Sequence, residues 1–158
     1  MRTRLGDALS GVLAGPGTAW AEVREALRET DVVGTIRGAA EAIGVSANGP
    51  KVVCRESGCG KDEGYSAIQV TPVGDGLSVQ GYYAETIGDY ARQGIALLRR
   101  NFREGPHDDL GRYPAVRLAS PEGEAMGLLI DGEPSEAASE ERFALARCEV
   151  DLLATCDE

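Results

Sequence analysis

The chain has 158 residues, of which 42% are hydrophobic and 27% charged, and its formal net charge is −10. These values are typical of one globular domain over residues 1–158, and they exclude a collagen-like, solenoid or largely disordered chain. The acidic balance disfavours direct binding of DNA or RNA, which relies on Lys and Arg, and no apolar stretch approaches the roughly 20 residues that cross a membrane.

The N-terminal part of the domain, residues 1–50, is predicted to be helical. A short helix is expected over residues 3–13, ended by a Gly-Pro-Gly run at 15–17. A second helix is expected over residues 18–29, because a threonine N-cap begins it and apolar residues follow at helical spacing. A third helix is expected over residues 31–43, with a glycine directly after it.

Strand periodicity follows the helical part. Residues 51–54 and 66–73 are predicted strands, and a Gly-Asp-Gly turn at 74–76 leads into another over residues 77–83. Two strands joined by a glycine-rich turn predict a β-hairpin. Residues 55–65 contain three glycines and are expected to form a loop.

A longer amphipathic helix is expected over residues 85–103. At 100° per residue, one set of its apolar side chains falls within an arc of about 80°. This set is Ile87, Ala91, Ile95, Leu98 and Phe102. Three arginines, Arg92, Arg99 and Arg103, fall within about 40° of one another on a different flank. That flank is either a solvated surface or a docking stripe for an acidic partner.

The last third of the chain is predicted to contain three strands. Residues 105–111 are expected to form a polar loop, and residues 113–118 and 126–130 to form strands. The longest strand is expected over residues 142–154, with one small and apolar face. This face consists of Ala144, Ala146, Cys148, Val150, Leu152 and Ala154. We expect helix 85–103 to pack against it.

Together, these elements predict an α+β fold, with N-terminal helices plus a small, mostly antiparallel β-sheet packed on one amphipathic helix. Residues 51–158 are expected to hold the sheet and helix 85–103. The negative charge is concentrated late in the chain, since residues 121–141 contain seven acids and no base. This acidic segment and the arginine flank of the helix are opposite in charge.

The four cysteines allow several interpretations. Cys54 and Cys59 are separated by a short glycine-containing segment, which allows a local disulfide. Their spacing is also loosely acceptable for a zinc knuckle, and buried free thiols are a third interpretation. In an extended strand, Cys148 and Cys156 would lie about 26 Å apart. We therefore expect at most one local disulfide, with Cys148 buried and reduced.

No catalytic or metal centre is predicted. The run at 58–62 is similar to a phosphate-binding loop, but Arg55 stands where that motif needs glycine and Asp62 where it needs Ser or Thr. The single histidine, His107, lies in a polar stretch in which nothing marks a nucleophile or a metal site. We expect no enzyme activity and no cofactor.

Part of the chain resembles a known family. The run Tyr113-Pro114-Ala115-Val116, the turn at Asp131-Gly132 and the predicted strand 142–154 are similar to a pattern in tail-terminator and neck proteins of tailed bacteriophages. The resemblance covers residues 85–155. It implies a virion structural protein, assembled in the host cytoplasm, that forms a ring in the neck or tail without catalysis. Its partners would be copies of itself and neighbouring virion proteins, with no nucleic acid or membrane.

A ring requires complementary surfaces on each subunit. The candidate interface residues are Arg92, Arg99, Arg103, Glu122, Glu124, Asp131 and Glu133. Exposed ion pairs contribute only about 0 to 1 kcal/mol each, so these charges are expected to set orientation while apolar contacts supply most of the affinity. Two alternatives stay open: a monomeric bacterial adaptor or binding domain, and a small Cys/His metal-binding protein.

Overall fold

The computed structural model describes residues 1–19, 23, 38, 41, 44–45, 48–56, 58–83, 86, 88–89 and 106–147. Within these residues, the regular structure is nearly all antiparallel β-strand. The strands are β1 (Val12–Ala14), β2 (Val53–Cys54), β3 (Ala67–Val73), β4 (Gly76–Tyr82), β5 (His107–Tyr113), β6 (Ala115–Ala119), β7 (Met126–Ile130), β8 (Glu133–Ala137) and β9 (Glu140–Ala144). A 3-10 helix spans Pro16–Ala19.

The predicted α+β class with N-terminal helices is wrong, because β-sheet dominates and the described residues contain no helix of seven or more residues. The predicted helix 3–13 shows most directly why the helical prediction fails. These residues form a tight N-terminal hairpin, in which Arg2 pairs with Asp7, and then the beginning of β1. β1 is buried along its whole length, and a short, wholly apolar run cannot be told from a helix segment by periodicity.

Most residues of the predicted helices 18–29, 31–43 and 85–103 lie outside the described part of the chain. The apolar stripe of helix 85–103 and its predicted packing on strand 142–154 therefore also lie outside it. Among the described residues, no helix combines the length and apolar character that crossing a membrane requires.

The strands form two antiparallel sheets. The large sheet has six strands in the order β5-β4-β3-β1-β7-β8, and the small sheet has three in the order β2-β6-β9. β5 and β6 follow each other with only Pro114 between them, so the chain passes directly from the large sheet to the small one. Residues 1–8 extend the small sheet, because the backbone of Arg2 exchanges two hydrogen bonds with Ala144 of β9.

The predicted hairpin over residues 66–83 is confirmed by β3 and β4, which pair along their full length. Its turn lies at Gly74-Asp75, and Gly74 has a φ of 59°. A positive φ at the first central position suits a two-residue hairpin turn, and glycine adopts it without steric cost.

Two predictions in the last third are corrected, and the predicted strand 126–130 is confirmed as β7. The expected polar loop 105–111 is largely β5, an edge strand whose polar residues gave no apolar alternation. The expected strand 113–118 begins only at Ala115. The acidic segment is a hairpin of β7 and β8, and its Asp131-Gly132 turn has positive φ values of 51° and 93°, as a type I′ turn requires.

The predicted long strand 142–154 is also corrected, since β9 spans Glu140–Ala144 and residues 148–158 lie outside the described part. The face of β9 that points into the core is the opposite of the one predicted. Phe143 is fully buried and pairs with Val116 of β6, whereas Ala144 is only partly buried. The number of small apolar residues predicts the wrong inward face for β9, because the large side chain of Phe143 fills the core here.

The main core draws its side chains from both sheets. Its largest fully buried members are Tyr65, Phe143, Ile68, Leu77, Leu118, Met126 and Leu128. A second, smaller cluster of Leu13, Ala67, Tyr82 and Leu129 comes from alternate positions of the large sheet, and therefore from its other face. The large sheet is thus buried on two faces, while much of the small sheet's outer face carries exposed side chains.

Candidate functional site

The hairpin of β7 and β8, together with the turn at 121–125 that precedes it, forms what we call the acidic hairpin. Four of its glutamates are exposed: Glu122, Glu124, Glu133 and Glu136. None of the four makes an ion pair or a side-chain hydrogen bond with another described residue. β8 is an edge strand of the large sheet, so the carboxylates of Glu133 and Glu136 lie at an edge of that sheet. All four carboxylates are available to a positively charged partner.

Asp131, another predicted interface residue, is instead engaged within the subunit. Its carboxylate accepts hydrogen bonds from the backbone N–H of Leu9 at 2.7 Å, Ser10 at 2.7 Å and Gly11 at 3.0 Å. The Ser10 hydroxyl donates a fourth, at 2.7 Å. Burial opposes ionisation of this carboxyl, but the four hydrogen bonds outweigh it and lower the pKa of Asp131 from 3.8 to about 2. Asp131 therefore attaches the hairpin turn to the N-terminal segment.

Glu141 is also used within the subunit. Its side chain is only 2% exposed, yet it carries a carboxylate. Arg4 donates to it from its backbone N at 3.1 Å, from Nε at 3.2 Å and from Nη2 at 3.0 Å. This arrangement satisfies the buried carboxylate with a guanidinium that is itself largely exposed. Arg4 and Glu141 thus fasten the N-terminal hairpin to β9.

Three other arginines lie side by side on the outer face of the small sheet, and we call them the arginine row. Arg117 of β6 is directly opposite Arg142 of β9. On its other side, the backbone N–H of Arg55 donates to the Arg117 carbonyl at 2.9 Å, which continues the register of β2 against β6. Residues opposite one another in an antiparallel sheet share a face. All three side chains are therefore on one face, and all three are exposed.

The arginine row has few negative charges near it. Arg117, which is 53% exposed, approaches Glu140 only at 3.9 Å. Arg55 and Arg142 make no ion pair with any described residue. Two inter-strand spacings separate the ends of the row by about 10 Å, which is close to the screening length at 0.1 M salt. Like charges directly opposite in a sheet are destabilising, so the row is an unfavourable arrangement within the subunit.

Sequence reasoning placed the basic surface on Arg92, Arg99 and Arg103, which lie outside the described residues. It missed the arginine row because strand register brings these residues together, and register is not visible along the chain. One signal was present. Arg117 lies between two apolar residues, and Arg142 precedes a phenylalanine, and a charged residue that alternates with apolar ones indicates an exposed position of a strand.

Cys54 and Cys59 are joined by a disulfide, with their Cα atoms 5.8 Å apart. Cys54 is buried at the end of β2 and Cys59 is partly buried in the following loop. The loop that resembled a phosphate-binding sequence is thus tied to the small sheet. Its Lys61 ammonium lies 3.4 Å from the centre of the Tyr83 ring, where a cation is attracted by the aromatic face.

Tyr65 holds the other end of this loop. Its hydroxyl donates to the Asp108 carboxylate at 2.9 Å and accepts from the Lys61 backbone N–H at 3.1 Å. Burial raises the pKa of Tyr65 to about 12, and the Asp108 carboxylate adds to the rise. Gly60 and Gly81 let the ring approach the backbone closely, because a Cβ at either would lie 2.6 Å from a Tyr65 atom. The cluster fixes the loop against β4 and β5.

The single histidine is part of β5, with its ring centre 5.8 Å from that of Tyr82. Within the described ranges, no group of three or more His, Cys, Asp and Glu side chains is placed so that it could hold a metal ion.

An apolar concavity lies beside the N-terminal hairpin. It has a volume of about 490 Å³ and is lined mainly by Met1, Ala8, Leu9, Pro72, Leu145 and Ala146. Leu9 is 49% exposed, and Val73, which lies between two lining residues, is 40% exposed. Large apolar side chains clustered around a concavity are characteristic of interaction surfaces, whereas isolated ones are common on any protein.

Comparison of the chain with known protein families and with curated proteins gave no match in either set.

Proposed function

We propose that this protein is a non-catalytic structural subunit of a tailed-bacteriophage particle that packs with copies of itself into a ring in the neck or tail. The observation that carries the proposal is the apolar concavity, with Leu9 and Val73 exposed at its border. Apolar contact supplies most of the affinity in subunit packing, and an exposed cluster of this kind on a compact sheet protein offers that contact.

The sheet edges favour packing through side chains over strand addition. The edge strand β8 carries Glu133, Pro134 and Glu136, and a bulge between Val79 and Gln80 interrupts the pairing of β4 with the other edge strand, β5. Charges, proline and bulges on edge strands are the devices that prevent another strand from pairing there. A neighbouring copy would therefore contact the faces and turns of the subunit.

The three exposed surfaces that could contact another copy also differ in polarity and charge. The concavity is apolar, the acidic hairpin is negative and the arginine row is positive. Unlike patches can pair reciprocally across a two-fold axis or meet head to tail, and head-to-tail contacts close into rings when the rotation permits, which is the arrangement we propose. The resemblance of Tyr113-Pro114-Ala115-Val116 and the following hairpin to phage neck and tail proteins supports a ring in a virion. Neighbouring virion proteins are then the further partners.

The test is the mass of the full chain in solution, measured by light scattering and native mass spectrometry from low to high micromolar concentration, with electron microscopy of the assembled fraction. We expect closed rings of one stoichiometry that dissociate on dilution. Leu9→Ser should shift the association to higher concentration, and Leu5→Ser is the matched control, because Leu5 is similarly exposed but does not line the concavity. A monomer at every concentration would overturn the proposal and favour a monomeric adaptor or binding domain.

A further inference from the structure

We infer that the arginine row of Arg55, Arg117 and Arg142 is the surface that receives the acidic hairpin of a neighbouring copy of this chain. This inference rests on the proposed function, since it names the surfaces through which copies meet.

The arginine row is electrostatically unfavourable in the isolated subunit. Arg117 and Arg142 are cross-strand partners, and Arg55 continues the same row. Like charges directly opposite in a sheet repel each other, and among the described residues the one carboxylate within ion-pair distance of the row is that of Glu140, 3.9 Å from Arg117. An arrangement that destabilises the folded subunit is explained if a negative surface neutralises it after assembly.

The same chain carries such a negative surface. The acidic hairpin exposes four glutamates with no ion pair to a described residue, and the arginine row exposes three arginines. Arg55, Arg117 and Arg142 make no ion pair with these glutamates within the subunit. Apart from the Arg117–Glu140 contact, the described residues therefore supply neither surface with an ion-pair partner in a single copy, and a contact between copies brings the two surfaces together. Guanidinium and carboxylate groups also match in shape and can form paired hydrogen bonds.

The shape of the small sheet next to the row also admits a hairpin. On the same face of the sheet, Ala115 is paired with Ala144, and Ala144 with Arg2, which is ion-paired to Asp7. The two small side chains leave a gap between the guanidinium groups of the row and the Arg2–Asp7 pair, and a projecting hairpin can approach the sheet there. The overall charge of −10 disfavours a long polyanion such as nucleic acid, which would meet repulsion beyond the three arginines. A compact acidic hairpin fits the limited size of the row, and because Glu133 and Glu136 lie on opposite faces of β8, one of them at a time faces the row.

The decisive variant is Arg142→Glu in the full chain. It places a carboxylate opposite Arg117, and an opposite-charge cross-strand pair stabilises a sheet. We therefore expect the thermal midpoint of the dissociated subunit to rise or stay equal, while the concentration of half-assembly rises about tenfold or more, because like charges then meet at the interface. Weaker assembly by a subunit that is no less stable cannot be attributed to unfolding.

The matched control is Arg112→Glu. Arg112 is exposed and carries the same charge, but it lies on β5 opposite Ser78, on the large sheet, where it approaches Asp75 at 3.8 Å much as Arg117 approaches Glu140. The same change of net charge at this position should leave the concentration of half-assembly within about twofold of the wild-type value, since only the overall electrostatic field of the subunit changes. An equal effect at both positions would show that net charge alone governs assembly, and would overturn the inference.

A charge exchange completes the test. The double reversal Arg117→Glu with Arg142→Glu is combined, in the same chain, with Glu124→Arg and Glu136→Arg. The arginine row then changes from +3 to −1 and the four glutamates of the acidic hairpin from −4 to 0, so the repulsion between two negative surfaces that the double reversal creates is removed. We expect the fourfold variant to recover part of the assembly that the double reversal loses, and its assembly should depend less on ionic strength than that of wild type.

The outcomes separate the two proposals. Rings of wild type together with equally stable rings of Arg142→Glu would overturn the role of the arginine row and leave the ring itself standing. Absence of rings in wild type would overturn the proposed function and this inference with it. Binding of a 20-nucleotide single-stranded DNA that Arg142→Glu abolishes, with rings unaffected, would assign the row to nucleic acid instead.

Discussion

The backbone N–H of Leu9 donates a 2.7 Å hydrogen bond to the carboxylate of Asp131, which lies 122 positions later in the chain. This contact, with those from Ser10 and Gly11, makes the type I′ turn of the acidic hairpin an anchor for the N-terminal segment. The residue that shapes the turn through its positive φ is therefore also the one that binds the segment.

Removing the Asp131 side chain should destabilise the fold. Asp131→Ala loses all four hydrogen bonds and the tolerance of a positive φ, so we expect a loss of about 1 to 2 kcal/mol in the free energy of unfolding, as for a lost helix cap. Asp131→Asn keeps one acceptor oxygen and the same backbone tolerance, and should lose less. Urea titrations of the three proteins give the comparison, and equal stability of wild type and Asp131→Ala would contradict this role.

The same carboxylate predicts a dependence of stability on acid. The pKa of Asp131 is lowered in the folded protein from 3.8 to about 2, so the unfolded chain takes up the proton first as the pH falls. The stabilisation from Asp131 is therefore complete above about pH 5 and is lost progressively as the pH falls through 4 to 2. The difference in unfolding free energy between wild type and Asp131→Asn should shrink over this range, and a constant difference would show that the charge is irrelevant.

Arg4 and Glu141 should behave as a coupled pair. Arg4→Ala leaves a buried carboxylate without its guanidinium, and we expect a loss of about 1 to 3 kcal/mol. Adding Glu141→Leu to Arg4→Ala should recover much of that loss, because no buried charge remains. A double-mutant cycle measured by chemical denaturation gives the coupling, and additive losses from the two changes would contradict it.

The inward face of β9 can be tested at adjacent positions. Phe143 is fully buried, so Phe143→Ala should cost about 3 to 5 kcal/mol, whereas Ala144→Ser on the outer face should cost under about 1 kcal/mol. Thermal and denaturant unfolding of both variants distinguishes the two faces. A larger loss at Ala144 would reverse the orientation of this strand.

The disulfide can be mapped chemically. Alkylation of the denatured, unreduced protein should leave Cys54 and Cys59 unmodified and linked in one proteolytic fragment. Because the bond closes a short loop, its reduction should lower the free energy of unfolding by at most about 2 kcal/mol. Alkylation of either residue before reduction would contradict the bond.

Parts of the fold were predictable where local chemistry decides the structure. The β3–β4 hairpin follows from a glycine-containing turn between apolar-rich runs, and β7 from a short apolar run. β5 and β8 were missed because edge strands can be polar, and Val12–Ala14 because a wholly buried central strand of three residues has no period to detect. The arginine row depends on pairing between Arg117 and Arg142, so composition and periodicity along the chain do not contain it.

The passage of the chain from β5 through Pro114 into β6 has a mechanical consequence. A force applied to the small sheet along β6 is carried into the large sheet by covalent backbone, and there it pulls β5 lengthwise against β4. Hydrogen bonds between antiparallel strands that are sheared in this way share the load and must break together. A joint built from such subunits would transmit tension between the large and the small sheet of each subunit without depending on the side-chain packing between the two sheets.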